Sequence, residues 1–220
     1  MPDLYDFSYT TSGDGYFDIM AYGTFGSTGG QRPFHFGAFS KEFFSWITPT
    51  VASLGTMTVT LAASESGPNL IKLYPNGNTS SQEYFLLENR RPIGFDQDWL
   101  SAGLCAGLVI WHVDQNIVQN YPYAVNTLAS AGGPPHQGVV VVEADGGFNM
   151  INPPINYGQC GDTWAVGRTW NANSTPNSNL WDGSSSNLSV TVVSESSGSL
   201  TLSITIPTRS FRVYLPSVSK

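Results

Sequence analysis

From residue 50 onward, apolar side chains recur at every second position. Met57, Val59 and Leu61 alternate with Thr56, Thr58 and Thr60. Near the end, Leu188, Val190 and Val192 make one face, residues 194–199 turn, and Leu200, Leu202, Ile204 and Ile206 return. A period of two puts alternate side chains on opposite sides of an extended chain, so these segments predict strands with a buried face. The last pair predicts a hairpin. Residues 69–74, 83–89, 108–114 and 138–145 are further strand candidates. Together they predict an antiparallel, β-sandwich-like domain over residues 51–206, with 207–220 as a linker or terminal tail.

Composition agrees. Charged residues are 11% of the chain, against about 25% in a typical soluble domain. Glu, Lys and Arg, the usual formers of helix surfaces, are therefore scarce. The chain has 23 Gly and 14 Pro, which suits strands joined by many turns. One helix is predicted, over 36–46. Phe36, Phe39, Phe43 and Trp46 follow a helical stripe, Lys41 and Glu42 sit off it, and Pro49 stops it. Before it, residues 1–33 read as a long loop rich in Asp, Gly, Ser and Thr. Tyr5, Phe7, Tyr9, Tyr16, Phe17 and Tyr22 argue that this loop is packed. The expected fold is mainly β with one helix, divided near residue 50.

Several functions are excluded or unsupported. The net charge is −7, and no basic cluster exists beyond Arg90-Arg91, so nucleic acid is not an expected partner. No apolar run approaches the roughly 18 residues of a membrane span. Neither a Gly-x-x-x-x-Gly-Lys phosphate loop nor a Gly-x-Ser-x-Gly elbow is present. Cys105 and Cys160 can be one disulfide or two thiols. Residue 1 is followed by no basic start or apolar leader.

Six short motifs occur in a telling order. They are 2–6 (PDLYD), 15–23 (GYFDIMAYG), the 39–46 segment ending in Trp46, 84–90 (YFLLENR), 107–114 (GLVIWHVD) and 143–146 (EADG). In that order the chain resembles the immune inhibitor A family, secreted bacterial zinc endopeptidases of the metzincin type. The resemblance covers roughly residues 1–206. It implies that residues 1–50 are the C-terminal subdomain of a metzincin catalytic domain, a Met-turn loop plus helix. It implies that Asp3 is the third zinc ligand, after an H-E-x-x-H-x-x-G helix. It makes Met20 the methionine-turn residue, an apolar floor beneath the metal. Tyr22, two residues later, stands where some metzincins hold a tyrosine that stabilises the oxyanion. The H-E-x-x-H helix is not in this chain, and His35, His112 and His136 lack its spacing. The resemblance thus implies an extracellular protein cleaving proteins or peptides when complete, with zinc as cofactor and this portion inactive alone. The signal peptide would lie outside this chain.

Other readings stand beside it. His112 and Asp114 share one face of a strand, Glu143 and Asp145 one face of another, and Glu88 ends a third. If those strands are neighbours, the five can build a calcium site or a polar network; otherwise they are strand ends reaching solvent. Asp96, Asp98 and Asp162 read as loop caps. Trp99, Trp164, Trp170 and Trp181 fall in loop-like stretches, either packed on the strands or open to sugars. The alternatives to a protease are therefore an extracellular β-domain for adhesion or carbohydrate binding, or an inactive pseudoprotease.

Overall fold

The computed structural model describes residues 2–207; Met1 and the expected tail over 208–220 lie outside the described residues. The strands are β1 (Thr50–Val51), β2 (Gly55–Leu61), β3 (Leu70–Leu73), β4 (Glu83–Arg90), β5 (Gly107–Asp114), β6 (Val139–Val141), β7 (Thr169–Trp170), β8 (Ser189–Ser196) and β9 (Ser199–Ile206). Among the described residues there are two α-helices, α1 (Ala38–Phe43) and α2 (Gln115–Asn120). The protein is mainly β, with one helix more than the sequence predicts.

The strands form two sheets. One has the order β1-β3-β4-β5-β6 and the other β2-β9-β8-β7. The second is antiparallel throughout. The first is mixed, because β1 runs parallel to β3, which corrects the expectation of antiparallel pairing alone.

The central strands of the first sheet are buried on both faces, which is why they read as nearly continuous apolar runs. Tyr84 and Leu86 of β4, with Val109, Trp111 and Val113 of β5, face one core. That core also holds Leu4, Phe17 and Phe39, so residues on both sides of position 50 share it. Phe85, Leu87, Leu108 and Ile110 face the other core, where they meet Val190, Val192, Leu202 and Ile204 of the second sheet. The first sheet is thus a middle layer, with the N-terminal loops and α1 on one face and the second sheet on the other.

The terminal hairpin is longer than predicted. Ser197 and Gly198 both have positive φ, at 49° and 79°, so the turn closes in two residues, the geometry that suits the strands' twist. An irregularity between Val192 and Ser194 breaks the strict alternation on which the sequence reading relied.

Helix α1 is shorter than predicted. Ser45 takes φ 58°. The N–H of Trp46 then donates to Lys41 C=O at 3.0 Å, and that of Ser45 to Glu42 C=O at 2.8 Å, the paired bonds of a Schellman ending. Of the expected apolar stripe only Phe39 is buried; Phe43 and Trp46 are exposed and Lys41 is buried instead. Helix α2 is too short to show a period. It forms because the Asp114 side chain accepts the N–H groups of Asn116 and Ile117.

Phe85 is 1% exposed and meets the Trp170 ring edge-on at 4.8 Å. Phe85→Ala is expected to lower stability by about 3–5 kcal/mol in a denaturant titration. Val193→Ala, at an exposed position, should stay within about 0.5 kcal/mol. Equal losses at the two positions would contradict a core shared between the sheets.

Candidate functional site

The face of the first sheet that carries α1 has a buried charge at its centre. Glu88 follows Leu86 by two on β4 and so points into the first core. Lys41 Nζ and Ser64 Oγ each lie 2.8 Å from its Oε1, and the N–H of Ala38 and Nε1 of Trp111 each donate to Oε2 at 3.1 Å. Burial pushes the Glu88 carboxyl up, but Lys41 and Arg90 outweigh that and hold it down at about 2. Arg90, two residues on, donates to Asp96 Oδ2 at 2.9 and 2.6 Å and to Phe17 C=O at 2.8 Å. Glu65 joins this cluster at 3.1 Å from Arg90 Nε. Burial raises the Glu65 carboxyl to about 7 despite that arginine.

The Phe17 contact hands the order on to the loop that follows. Asp18 is buried, and its carboxylate accepts the N–H of Met20 at 2.8 Å and of Gly37 at 2.9 Å. Its own C=O accepts the N–H groups of Ala21 and Gly23. Position 37 must be glycine, because a Cβ there would stand 2.5 Å from the Trp111 ring and 2.8 Å from Asp18 Oδ2. Burial raises the Asp18 carboxyl to about 6.

The turn so fixed captures the beginning of the chain. Leu4 N–H donates to Met20 C=O at 3.1 Å, and Leu4 C=O accepts the Asn126 side chain at 3.0 Å. Asp6 is held below its ordinary value; burial opposes this, but Ser8, Thr10 and Thr11 donate to its carboxylate. As a result Asp3, Met20 and Tyr22 line one open cleft of about 520 Å³, with Tyr5, Tyr9 and Phe36 among its walls. Burial lifts the Tyr22 phenol above its ordinary value, so it keeps its proton at neutral pH. Its ring lies 4.5 Å from that of Tyr157.

The donors in this cleft do not by themselves fit a catalytic zinc. Its lining offers one carboxylate, Asp3, and neither His nor Cys, whereas about three protein ligands are required. His35 donates its N–H to Asp96 outside the cleft, and the other two histidines are elsewhere.

The five residues read as one calcium site or network separate into three places. Glu88 is the buried carboxylate already described, with both oxygens taken. His112 Nε2 lies 2.9 Å from Glu83, and His136 Nε2 lies 2.9 Å from Asp114. Both imidazoles stack on Trp181, at 5.2 and 4.5 Å. Burial lowers the His112 imidazole below its ordinary value. Glu143 and Asp145 stay together and are joined by Asp162, one oxygen from each lying within 4.8 Å of the others. Burial raises Glu143 and Asp162 each to about 7.

Asp162 caps its loop as expected, its side chain accepting Gln159 N–H in a capping box, and is buried; Asp96 is buried against Arg90, and Asp98 pairs with Arg32. Trp99, Trp164 and Trp170 are core residues, whereas Trp181 is partly open. Cys105 and Cys160 form a disulfide, compatible with an extracellular protein. Among the described residues no helix is long and apolar enough to cross a membrane. No protein-family model matches the chain, and no curated protein matches it.

Replacing Glu88 with Gln leaves Lys41 buried without its counter-charge and should cost about 3–5 kcal/mol. A carboxyl held down in the folded protein stabilises it above its unfolded value, 4.5, and loses that contribution as pH falls towards about 2. The wild-type protein should therefore lose stability across that window more steeply than Glu88→Gln. Parallel profiles in acid denaturation would contradict the ionised Glu88.

Proposed function

We propose that this chain is a portion of a secreted zinc endopeptidase of the immune inhibitor A type, contributing the third-ligand loop, the methionine turn and one wall of the substrate cleft. The observation that carries this reading is the convergence of Asp3, Met20 and Tyr22 on one cleft, through the Leu4–Met20 backbone bond. The resemblance requires these three to meet around one metal, and they line one cleft. In this reading residues 1–50 are the end of the catalytic domain. The two sheets, joined through a common core, are a sandwich-like brace behind it.

Each residue then has a task. Asp3 would offer a carboxylate to the metal, and the histidines and the glutamate base would come from an H-E-x-x-H helix outside this chain. Met20 gives that corner an apolar floor. Tyr22 keeps a proton and can donate to the oxyanion that forms when a peptide carbonyl is attacked. Tyr5, Tyr9, Phe25 and Phe36 leave apolar wall for substrate side chains. The sugar-binding alternative has less support, because three of the four loop tryptophans are core and the fourth is stacked by two imidazoles.

The test is the protein extended upstream along its genomic reading frame. It should hold one zinc and cleave casein, and Asp3→Ala should remove both. Tyr22→Phe should keep the zinc and lower kcat by about 100-fold, with KM little changed. An extended protein that binds no zinc, or whose zinc and activity survive Asp3→Ala, sinks the proposal.

A further inference from the structure

Where the chain leaves β6, Glu143, Asp145 and Asp162 each bring a carboxylate oxygen within 4.8 Å of the others. Their neighbours do not neutralise them. Among the described residues no Lys, Arg or His forms an ion pair with any of the three. Arg168, the cation of this region, donates to Ala144 C=O instead. Glu143 accepts the N–H groups of Asn149 and Met150 at 2.7 and 3.1 Å. Asp145 accepts Gly147 N–H at 2.8 Å and the Gln159 amide at 2.7 Å. These are neutral donors.

Asp162 supplies a second observation. It is 0% exposed; its Oδ2 accepts Gln159 N–H at 2.7 Å, but its Oδ1 accepts no hydrogen bond. A buried polar atom left without a partner is costly, and an anionic one more so. Space for the oxygens is kept by glycine. A Cβ at Gly161 would stand 2.6 Å from Asp145 Oδ2, and one at Gly147 would stand 2.4 Å from Asn149 Oδ1 and 3.1 Å from Asp145 Oδ1. The Asn149 amide oxygen lies on the Asp145 side of this cluster, where Gln159 Nε2 donates to both, at 3.4 Å to Asn149 Oδ1 and 2.7 Å to Asp145 Oδ2. Ala144 N–H donates to Asp162 C=O at 3.0 Å, and the Cys105–Cys160 disulfide anchors the turn that carries Asp162.

We propose that Glu143, Asp145, Asp162 and the Asn149 side chain form a calcium site. The donors are all oxygen, which favours a hard cation over zinc. Several carboxylates on irregular loops suit the flexible coordination of Ca²⁺ better than the strict octahedron of Mg²⁺. Asp162 Oδ1 gains its missing partner, and waters complete the shell. The ion clips residues 143–149 to residues 159–162. The loop between them carries Tyr157, whose C=O accepts Tyr16 N–H at 2.7 Å and whose ring packs on Tyr22. Calcium therefore fastens a support of the cleft, whatever reaction the cleft serves.

The test uses this chain with its disulfide intact, first stripped of divalent ions by a chelator. Tb³⁺ is the probe, excited through tryptophan, since Trp164 follows Asp162 by two residues. Emission should saturate at one ion per chain and be displaced by Ca²⁺, with equimolar Mg²⁺ far less effective. At about a hundredfold above its dissociation constant, Ca²⁺ should raise Tm by about 5 °C or more. Asp145→Asn, at an exposed position, should fold and bind at least tenfold more weakly; Asp162→Asn should abolish binding. If Asp162→Asn does not fold, Asp145→Asn decides alone. A Tm indifferent to Ca²⁺, or affinity unchanged in Asp145→Asn, overturns the site.

Discussion

The structure depends on a carboxylate that has no water to ionise into. Glu88 sits at the centre of a five-stranded sheet and is ionised only because Lys41 arrives from α1 and Arg90 lies two residues along its own strand. Each partner then commits another part of the chain. Lys41 docks the helix. Arg90 reaches Asp96, Glu65 and the carbonyl of Phe17, and Phe17 precedes Asp18, which shapes the turn at Met20. The N-terminal loops thus cover one sheet face through charge and backbone hydrogen bonds as much as through apolar contact. Breaking such a network by removing one member costs more than its net contribution, because the charge left behind stays buried.

This explains how a chain with so few charged residues holds a long irregular segment in one place. The second sheet supplies an apolar core of ordinary kind. The first face has an apolar core of its own, and beside it Asp18, Asp6 and Asp14 act as local organisers, each buried and each accepting N–H groups of loop backbone or of Asn126. The loops stay ordered because much of their backbone finds hydrogen-bond partners within the fold.

How much of this was legible followed the range of each interaction. Strands announce themselves locally: β2 and β9 lie where period-two alternation puts them, and β4 and β5 lie where short, nearly continuous apolar runs put them. The end of α1 was misread because Ser45 leaves the helix through a backbone conformation that residue type barely signals. Helix α2 was missed because six residues cannot show a period, although Asp114 before it is an N-cap signal. Lys41 sits off the apolar stripe and is buried all the same, because it pairs with Glu88, 47 positions away. Asp162 escaped grouping with Glu143 and Asp145 for the same reason, and Glu88 was grouped with them although its own neighbours claim it. Asp3, Met20 and Tyr22 came from the order of motifs, and their meeting in one cleft rests on a backbone bond that no side-chain pattern encodes.

The central claim is that Asp3 faces a metal over the floor formed by Met20. Anomalous diffraction at the zinc edge, on crystals of the upstream-extended protein, tests it most directly. The account predicts one zinc with an Asp3 carboxylate oxygen at about 2.0–2.2 Å and Met20 beneath it without a bond to the metal. A zinc held without Asp3, or no zinc in the cleft, would contradict it.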